Sequence, residues 1–286
     1  MPRLLAVGHV TWDRTPAGDV LGGSAAYASL AARRLGWEAG VLTCAGADLE
    51  PARDLPGIQV FLARSPSTTR FSNLYDDDGT RRQVLTARAG DIDFTVLPDD
   101  WRRPDALLLG PVAGELAGPA AGAFEAGVVG ANAQGWLREV DRQGNVSPRE
   151  WPDPGRDLRG VHLLVLSEQD LPRAGPRARE FLAYVPMVAL TRGWEGLTLL
   201  TREAVHQVPA LPREEVDPTG AGDVFAAAFL MRYHECGDAL DAAAFAACAA
   251  SCVVEGVGAA SLGDRPEVMR RLALRQRLIE EGEWDE

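Results

Sequence analysis

The chain has 286 residues, 46% of them hydrophobic and 24% charged, and a formal net charge of −12. That balance suits a globular chain able to bury a sizeable core, and the acidic excess argues against the basic stripe that a nucleic-acid or anionic-membrane surface needs. Lysine is absent, so all 29 basic residues are arginine, which removes a Walker lysine, a Schiff-base lysine and a catalytic lysine–glutamate pair from consideration.

Residues 4–8 form a short apolar run, too short for the apolar part of a signal peptide and without a cleavage site after it. It reads as a buried first strand, and with no apolar run of roughly 18 residues anywhere the protein is expected to be cytoplasmic. Residues 24–35 read as a helix, and 39–44 and 58–62 as strands. Segments 68–75 and 80–86 flank Asp76-Asp77-Asp78-Gly79 and read as an antiparallel hairpin, a small lid of about residues 66–88. Strands are expected at 106–109, 127–130, 161–166, 186–190 and 197–200, with helices at 116–126 and 178–184 between them. Several of these strands are continuous apolar runs, the pattern of strands covered on both faces. Three consecutive helices, 221–233, 239–255 and 266–280, close the chain.

The fold class that follows is α/β, a three-layer sandwich with a mostly parallel central sheet and a small antiparallel lid, with residues 1–286 as one domain. Cys44, Cys236, Cys248 and Cys252 form no Cys-x-x-Cys pair, and the four histidines show no ligand spacing, so buried thiols are expected and a structural zinc is not. No Gly-x-Gly-x-x-Gly follows the first strand, which sets aside a dinucleotide-binding oxidoreductase.

The chemistry concentrates in Asp217-Pro218-Thr219-Gly220-Ala221-Gly222-Asp223, which runs directly into the apolar helix beginning at Val224. The unpaired amides of a helix's first turn, with the helix dipole behind them, make an anion site. Small residues at Gly220, Ala221 and Gly222 let the backbone approach a phosphate closely. A carboxylate beside an anion site repels its ligand unless it is there to accept a proton from an attacking hydroxyl, and Asp223 fits that role. Helix capping explains one aspartate of the pair, not both.

This heptapeptide resembles the C-terminal signature of the ribokinase-like (PfkB) carbohydrate kinase family. The resemblance implies a ribokinase-like fold, Asp223 as the catalytic base, Gly220, Ala221 and Gly222 as the anion hole with Thr219 beside the donor, and Asp217 near the substrate or a monovalent-cation loop. Gly8-His9-Val10-Thr11-Trp12-Asp13 resembles the family's first-strand segment, which makes Asp13 a ligand of substrate hydroxyls. Gly22-Gly23-Ser24-Ala25-Ala26-Tyr27 resembles the di-glycine signature that lines the substrate pocket, so Gly22, Gly23 and Tyr27 join the site. Thr191-Arg192-Gly193-Trp194-Glu195-Gly196 is similar to the family's nucleotide-phosphate loop, assigning Thr191, Gly193 and Gly196 to the donor. Gly256 and Gly258 stand where the family closes over the adenine and, in some members, ligates K+.

Two departures stand out. The family's Asn-x-x-Glu magnesium motif is here Ser167-Glu168-Gln169-Asp170, leaving Asp170 or Glu168 to help hold Mg2+. Only eight residues separate Asp13 from Gly22, so the lid is expected to come mainly from the 68–86 hairpin. Asn132-Ala133-Gln134-Gly135-Trp136-Leu137-Arg138 is similar to the inositol-kinase-like branch, and Asn132, Gln134 and Arg138 suit either a polyol or the backbone of a structural loop. The expected activity is transfer of the ATP γ-phosphoryl group to a hydroxyl of a cyclitol such as myo-inositol, or of a sugar. The alternatives are a nucleoside kinase, with Trp12, Tyr27 or Trp136 stacking on a base, and a nucleotide-sensing protein without turnover. The expected partners are the polyol and ATP, with Mg2+ and room for a monovalent cation such as K+. No nucleic acid or membrane is involved, and the state is a monomer or homodimer.

Overall fold

The computed structural model describes residues 1–15, 18–75, 81–171 and 174–281. Its strands are β1 (Arg3–Val7), β2 (Thr11–Thr15), β3 (Gly18–Gly22), β4 (Glu38–Ala45), β5 (Gln59–Arg64), β6 (Thr69–Tyr75), β7 (Arg81–Ala87) and β8 (Ala106–Leu109). They continue as β9 (Val128–Asn132), β10 (Arg138–Val140), β11 (Val146–Pro148), β12 (Leu163–Ser167), β13 (Met187–Thr191), β14 (Leu197–Thr201) and β15 (Val205–Val208). The helices are α1 (Ser24–Arg34), α2 (Pro51–Asp54), α3 (Pro154–Asp157), α4 (Ala174–Glu180), α5 (Ala221–Cys236), α6 (Ala239–Val253) and α7 (Arg265–Glu280).

The central sheet has nine strands in the order β15-β14-β13-β12-β9-β8-β1-β4-β5. From β13 to β5 every pairing is parallel, and at one edge the β13–β14 and β14–β15 pairings are antiparallel. The apolar strands divide by parity, as a period of two requires. Leu4, Ala6, Leu108, Val165 and Ala189 face the layer of α1, α5, α6 and α7, while Leu5, Val7, Leu107, Leu164 and Val188 face the opposite core. The chain progresses one way from β1 through β4 to β5, then the other way from β8 to β13, so crossovers diverge beside β1. That is where an open α/β sheet leaves a crevice at the carboxyl ends of its strands.

A four-stranded lid, ordered β3-β2-β6-β7, covers that end. The short stretch after Asp13 therefore does supply lid strands: β2 pairs antiparallel with β3 and parallel with β6. Those strands are polar, and nothing in their composition announces them. The expected Asp76–Gly79 turn lies outside the described residues. A second hairpin, β10–β11, was not anticipated; Asp141 Oδ1 accepts from the Gln143 and Asn145 amides, and Gly144 has φ 89. Its tip joins the lid through a Val84–Asn145 bridge and a 2.8 Å bond from Leu85 N–H to the Gly144 carbonyl.

The helix expected over 116–126 is absent, and only Ala120–Ala123 makes a 3₁₀ turn. Gly118 at φ 73, Pro119 and Gly122 break the pattern that the apolar spacing suggested. The helix expected at 178–184 begins earlier, as α4, and ends in a 3₁₀ turn at Phe181–Ala183. The last helices start as their sequences dictate: Asp238 accepts from the Leu240 and Asp241 amides, and Asp264 from the Glu267 amide. Cys44, Cys248 and Cys252 are buried, while Cys236 is exposed. No helix among the described residues is long and apolar enough to cross a membrane.

Candidate active site

One cavity of about 1250 Å³ runs along the carboxyl ends of the strands, from beneath the lid to the N-terminal end of α5 and on to α6. Asp223 lines it, half-buried. Asn132, at the end of β9, donates Nδ2–H to Asp223 Oδ1 at 2.6 Å, and the Ser24 hydroxyl, first residue of α1, also bonds the carboxyl. Burial raises the Asp223 pKa to about 6; the bonds from Ser24 and Asn132 and the Arg138 charge oppose the rise, and the Asp170 carboxylate adds to it. A carboxyl poised there is ionised at neutral pH, yet basic enough to accept a hydroxyl proton.

Gly220 begins α5 at φ 82, a left-handed conformation that only glycine adopts without strain. A Cβ there would also strike the Tyr27 ring, so close packing of Tyr27 is a second reason for glycine. Tyr27 is 3% exposed; burial first, then Asp217, Asp223 and Asp13, push its phenol pKa well upward, so it stays neutral. Gly222, the second residue of α5, lines the cavity, and a Cβ added there would meet open space.

Under the lid, Asp13 lies on β2 opposite Phe71 of β6, and Thr11 Oγ1 donates to Asp13 Oδ1 at 3.2 Å. Gly22 backs it: a Cβ at that position would come within 2.6 Å of Asp13 Oδ2. Gly23, at φ 91, packs so tightly on the His9 carbonyl that no side chain fits. Gln134 and Arg138 also reach this end, and Arg138 donates to Gln83 Oε1 of lid strand β7 at 2.9 Å. Of the aromatics considered for base stacking, Trp136 is core, stacked 4.9 Å from Trp151 and donating to the Leu116 carbonyl.

The other end of the cavity takes Thr191, Gly193, Gly196 and Thr219. Several expected residues lie apart from it. Asp217 is outside the lining; its oxygens accept from the Thr219 amide at 3.0 Å and the Gly258 amide at 3.4 Å, stapling the loop ahead of α5 to the segment after α6. Gly256 and Gly258 sit in that segment, also outside the lining. Glu168 is exposed and turned away, whereas Asp170 lines the cavity, accepts from the Ser167 amide at 2.9 Å and has its pKa raised by burial.

No group of three or more His, Cys, Asp or Glu among the described residues forms a ready-made metal cluster. A magnesium bound chiefly through donor phosphates needs only one or two carboxylates. Asp170 and Asp223 face the same space closely enough to repel each other, an all-oxygen set that fits such an ion. Sequence reading passed over Ser24, Thr11 and Phe71 as site residues. The di-glycine before Ser24 was the available signal, since it aims that hydroxyl into the cavity.

Residues 156–265 match the family model of the pfkB family carbohydrate kinases. A nucleoside kinase of Methanothermobacter thermautotrophicus is 37% identical over 86 residues, 30% of this chain and 28% of that protein. The matched segment thus spans less than a third of that relative's length. Among solved structures, a pyrophosphate-dependent kinase in the ribokinase family bound to sulfate superposes with a TM-score of 0.77 at 19% identity, covering 93% of this chain and 99% of the other. A pyrophosphate-dependent kinase of the ribokinase family complexed with a pyrophosphate analog and myo-inositol gives a TM-score of 0.75 at 18% identity, again over 93% and 99%. The chain therefore has a segment similar to the pfkB family carbohydrate kinases and the fold of the ribokinase-family structures, as its motifs lead one to expect.

Proposed function

We propose that this protein is a phosphotransferase that moves the γ-phosphoryl group of ATP onto a hydroxyl of a small polyol, a cyclitol such as myo-inositol or a sugar. The observation that carries this reading is the Asp223 carboxyl, raised to about 6 by burial and set in the first turn of α5, where helix geometry leaves backbone amides without intrahelical partners. A binding protein without turnover has no use for a buried carboxylate at an anion site, where it only weakens binding.

Asp13 and Gln134 hold the acceptor's hydroxyls, with the lid above them excluding water that competes as acceptor. Asp223 takes the attacking hydroxyl's proton as the new O–P bond forms and the bond to the nucleoside diphosphate breaks. The turn at 220–222 offers amides to the charge that collects on the transferring group. A divalent cation, held by Asp170 with the donor phosphates, supplies charge neutralisation there when bound. Arg138, whose charge acts on both Asp170 and Asp223, meets the same group from the lid side.

A nucleoside acceptor is the second reading, favoured by the match to the Methanothermobacter nucleoside kinase and by Phe71, an aromatic at the lid end of the cavity. An ADP-release assay with Mg-ATP against cyclitols, sugars and nucleosides tests both. Turnover on one class, lost in Asp223→Asn, supports the kinase and names its acceptor. Equal turnover by Asp223→Asn would remove the base from the mechanism.

A further inference from the structure

We infer that Trp194 is a stacking platform for the base of a nucleotide donor, so that this chain takes its phosphoryl group from a nucleoside triphosphate in preference to inorganic pyrophosphate. The inference rests on the phosphotransferase reading above and settles which donor that reaction uses.

Trp194 is 82% exposed, whereas Trp37, Trp101, Trp136 and Trp151 are between 3% and 7% exposed. Leaving so large an apolar surface in water forgoes the burial that normally stabilises a tryptophan. It occupies the 3₁₀ turn Gly193–Glu195 that joins β13 to β14, and it edges the donor half of the cavity. Gly196 fixes the turn there: at φ 95 it lies so close against the Val208 carbonyl and the Ala210 amide that a Cβ would strike both. The turn is thus pressed flat onto the 208–210 segment, with the indole at the cavity's edge.

Its neighbour Glu195 also lines the cavity, and a carboxylate repels phosphate. This loop is therefore suited to the uncharged end of a donor, leaving the phosphates to the amides at 220–222. Leu197, Leu211, Ala247, Ala250 and Val254 give the wall of the same region an apolar face, beside Ser251 and an Arg213 already paired with Glu255. Pyrophosphate has neither an apolar surface nor a π face with which to use that wall. The cavity's 1250 Å³ also exceeds the ~300–1,000 Å³ that holds a drug-sized ligand, ample for a polyol and a nucleotide together.

The test is calorimetric titration of Mg-ADP and of Mg-pyrophosphate into the wild-type protein, Trp194→Ala and Trp194→Phe. The alanine variant is expected to bind ADP about tenfold or more weakly, as loss of one base–aromatic stack predicts. Trp194→Phe should retain most of the affinity, and pyrophosphate binding should not change in either variant. An exposed side chain leaves the melting temperature unmoved, which separates this effect from misfolding. Equal ADP affinity in Trp194→Ala, equal losses for ADP and pyrophosphate, or a wild-type protein that binds pyrophosphate and not ADP would each overturn the inference. If ADP binding depends on Trp194 but no donor and acceptor pair gives a phosphorylated product, the platform stands and the kinase reading falls.

Discussion

The Asn132 side chain, at the end of β9, donates to Asp223 Oδ1 in the first turn of α5 over 2.6 Å, tying the sheet to the helix that carries the proposed base. Asn132 is 6% exposed, and its own Oδ1 is buried without a hydrogen-bond partner. Such an orphan costs about 1–3 kcal/mol, and at an active site it is explained by what the other half of the amide does. Nδ2 fixes the rotation of the Asp223 carboxyl and favours its ionised form.

Asn132→Asp should therefore place a second carboxyl against the first. The pair would share one proton, and the acid limb of the pH–kcat profile should move upward from about pH 6 by about one unit or more. Were Asn132 only a substrate ligand, the variant would raise KM and leave that limb in place. A pH series at saturating acceptor decides between them.

Asp223→Asn should lose about 10²-fold or more in kcat, as removal of a general base predicts. Its stability should move the other way. Asp223 holds its proton more tightly in the folded chain, at about 6 against the ordinary 3.8 of an aspartate, so stability falls as pH rises from about 4 through 6 and is level above that. The asparagine variant, free of that burden, should be more stable at pH 7.5 by roughly 1–3 kcal/mol and equal to wild type near pH 4. Thermal melts at the two pH values measure the difference, and a variant less stable at both would contradict the assignment of burial as the cause.

Gly220→Ala combines a left-handed backbone with a collision against Tyr27. A loss of about 2 kcal/mol or more is expected from overpacking and strain together. Gly222→Ala meets open space and should fold normally, so any fall in its donor affinity would report on the anion turn alone. Chemical denaturation of the two variants side by side makes the comparison.

Asp170→Asn should raise the Mg2+ concentration needed for half-maximal activity by about tenfold, the scale on which metal-site partners act, while Glu168→Gln should leave it unchanged because Glu168 is exposed and outside the cavity. A magnesium titration at fixed ATP, after treatment with a chelator, distinguishes them. Equal effects from both variants would argue against Asp170 as the ligand.

The turn ahead of α5 was legible because its parts are contiguous: Gly220, Gly222 and Asp223 declare a helix N-terminus with a carboxylate in its first turn, the arrangement on which the proposed anion site and base rest. The sheet was legible for a similar reason, since strands covered on both faces must be apolar throughout. What escaped notice depends on pairing. Arg138 meets Gln83 across 55 residues of chain, and β2 finds β6 through backbone bonds that any polar sequence could make. Asp217 shows the converse: the motif names it, but only the fold reveals that its two oxygens accept from the Thr219 and Gly258 amides.

The bridge between Val84 and Asn145, with the Leu85–Gly144 bond beside it, makes the lid and the β10–β11 hairpin one mechanical piece. A lid that swings outward carries Arg138 with it, and the charge that helps keep Asp223 ionised departs at the same moment. Opening the chamber would also let water reach Asp223 and relieve the burial that is the main cause of its raised pKa, which outweighs the loss of the Arg138 charge, so the carboxylate of an open site is a weaker base than that of a closed one. Slowed amide exchange at Leu85 when acceptor is bound would be the signature of that latch closing.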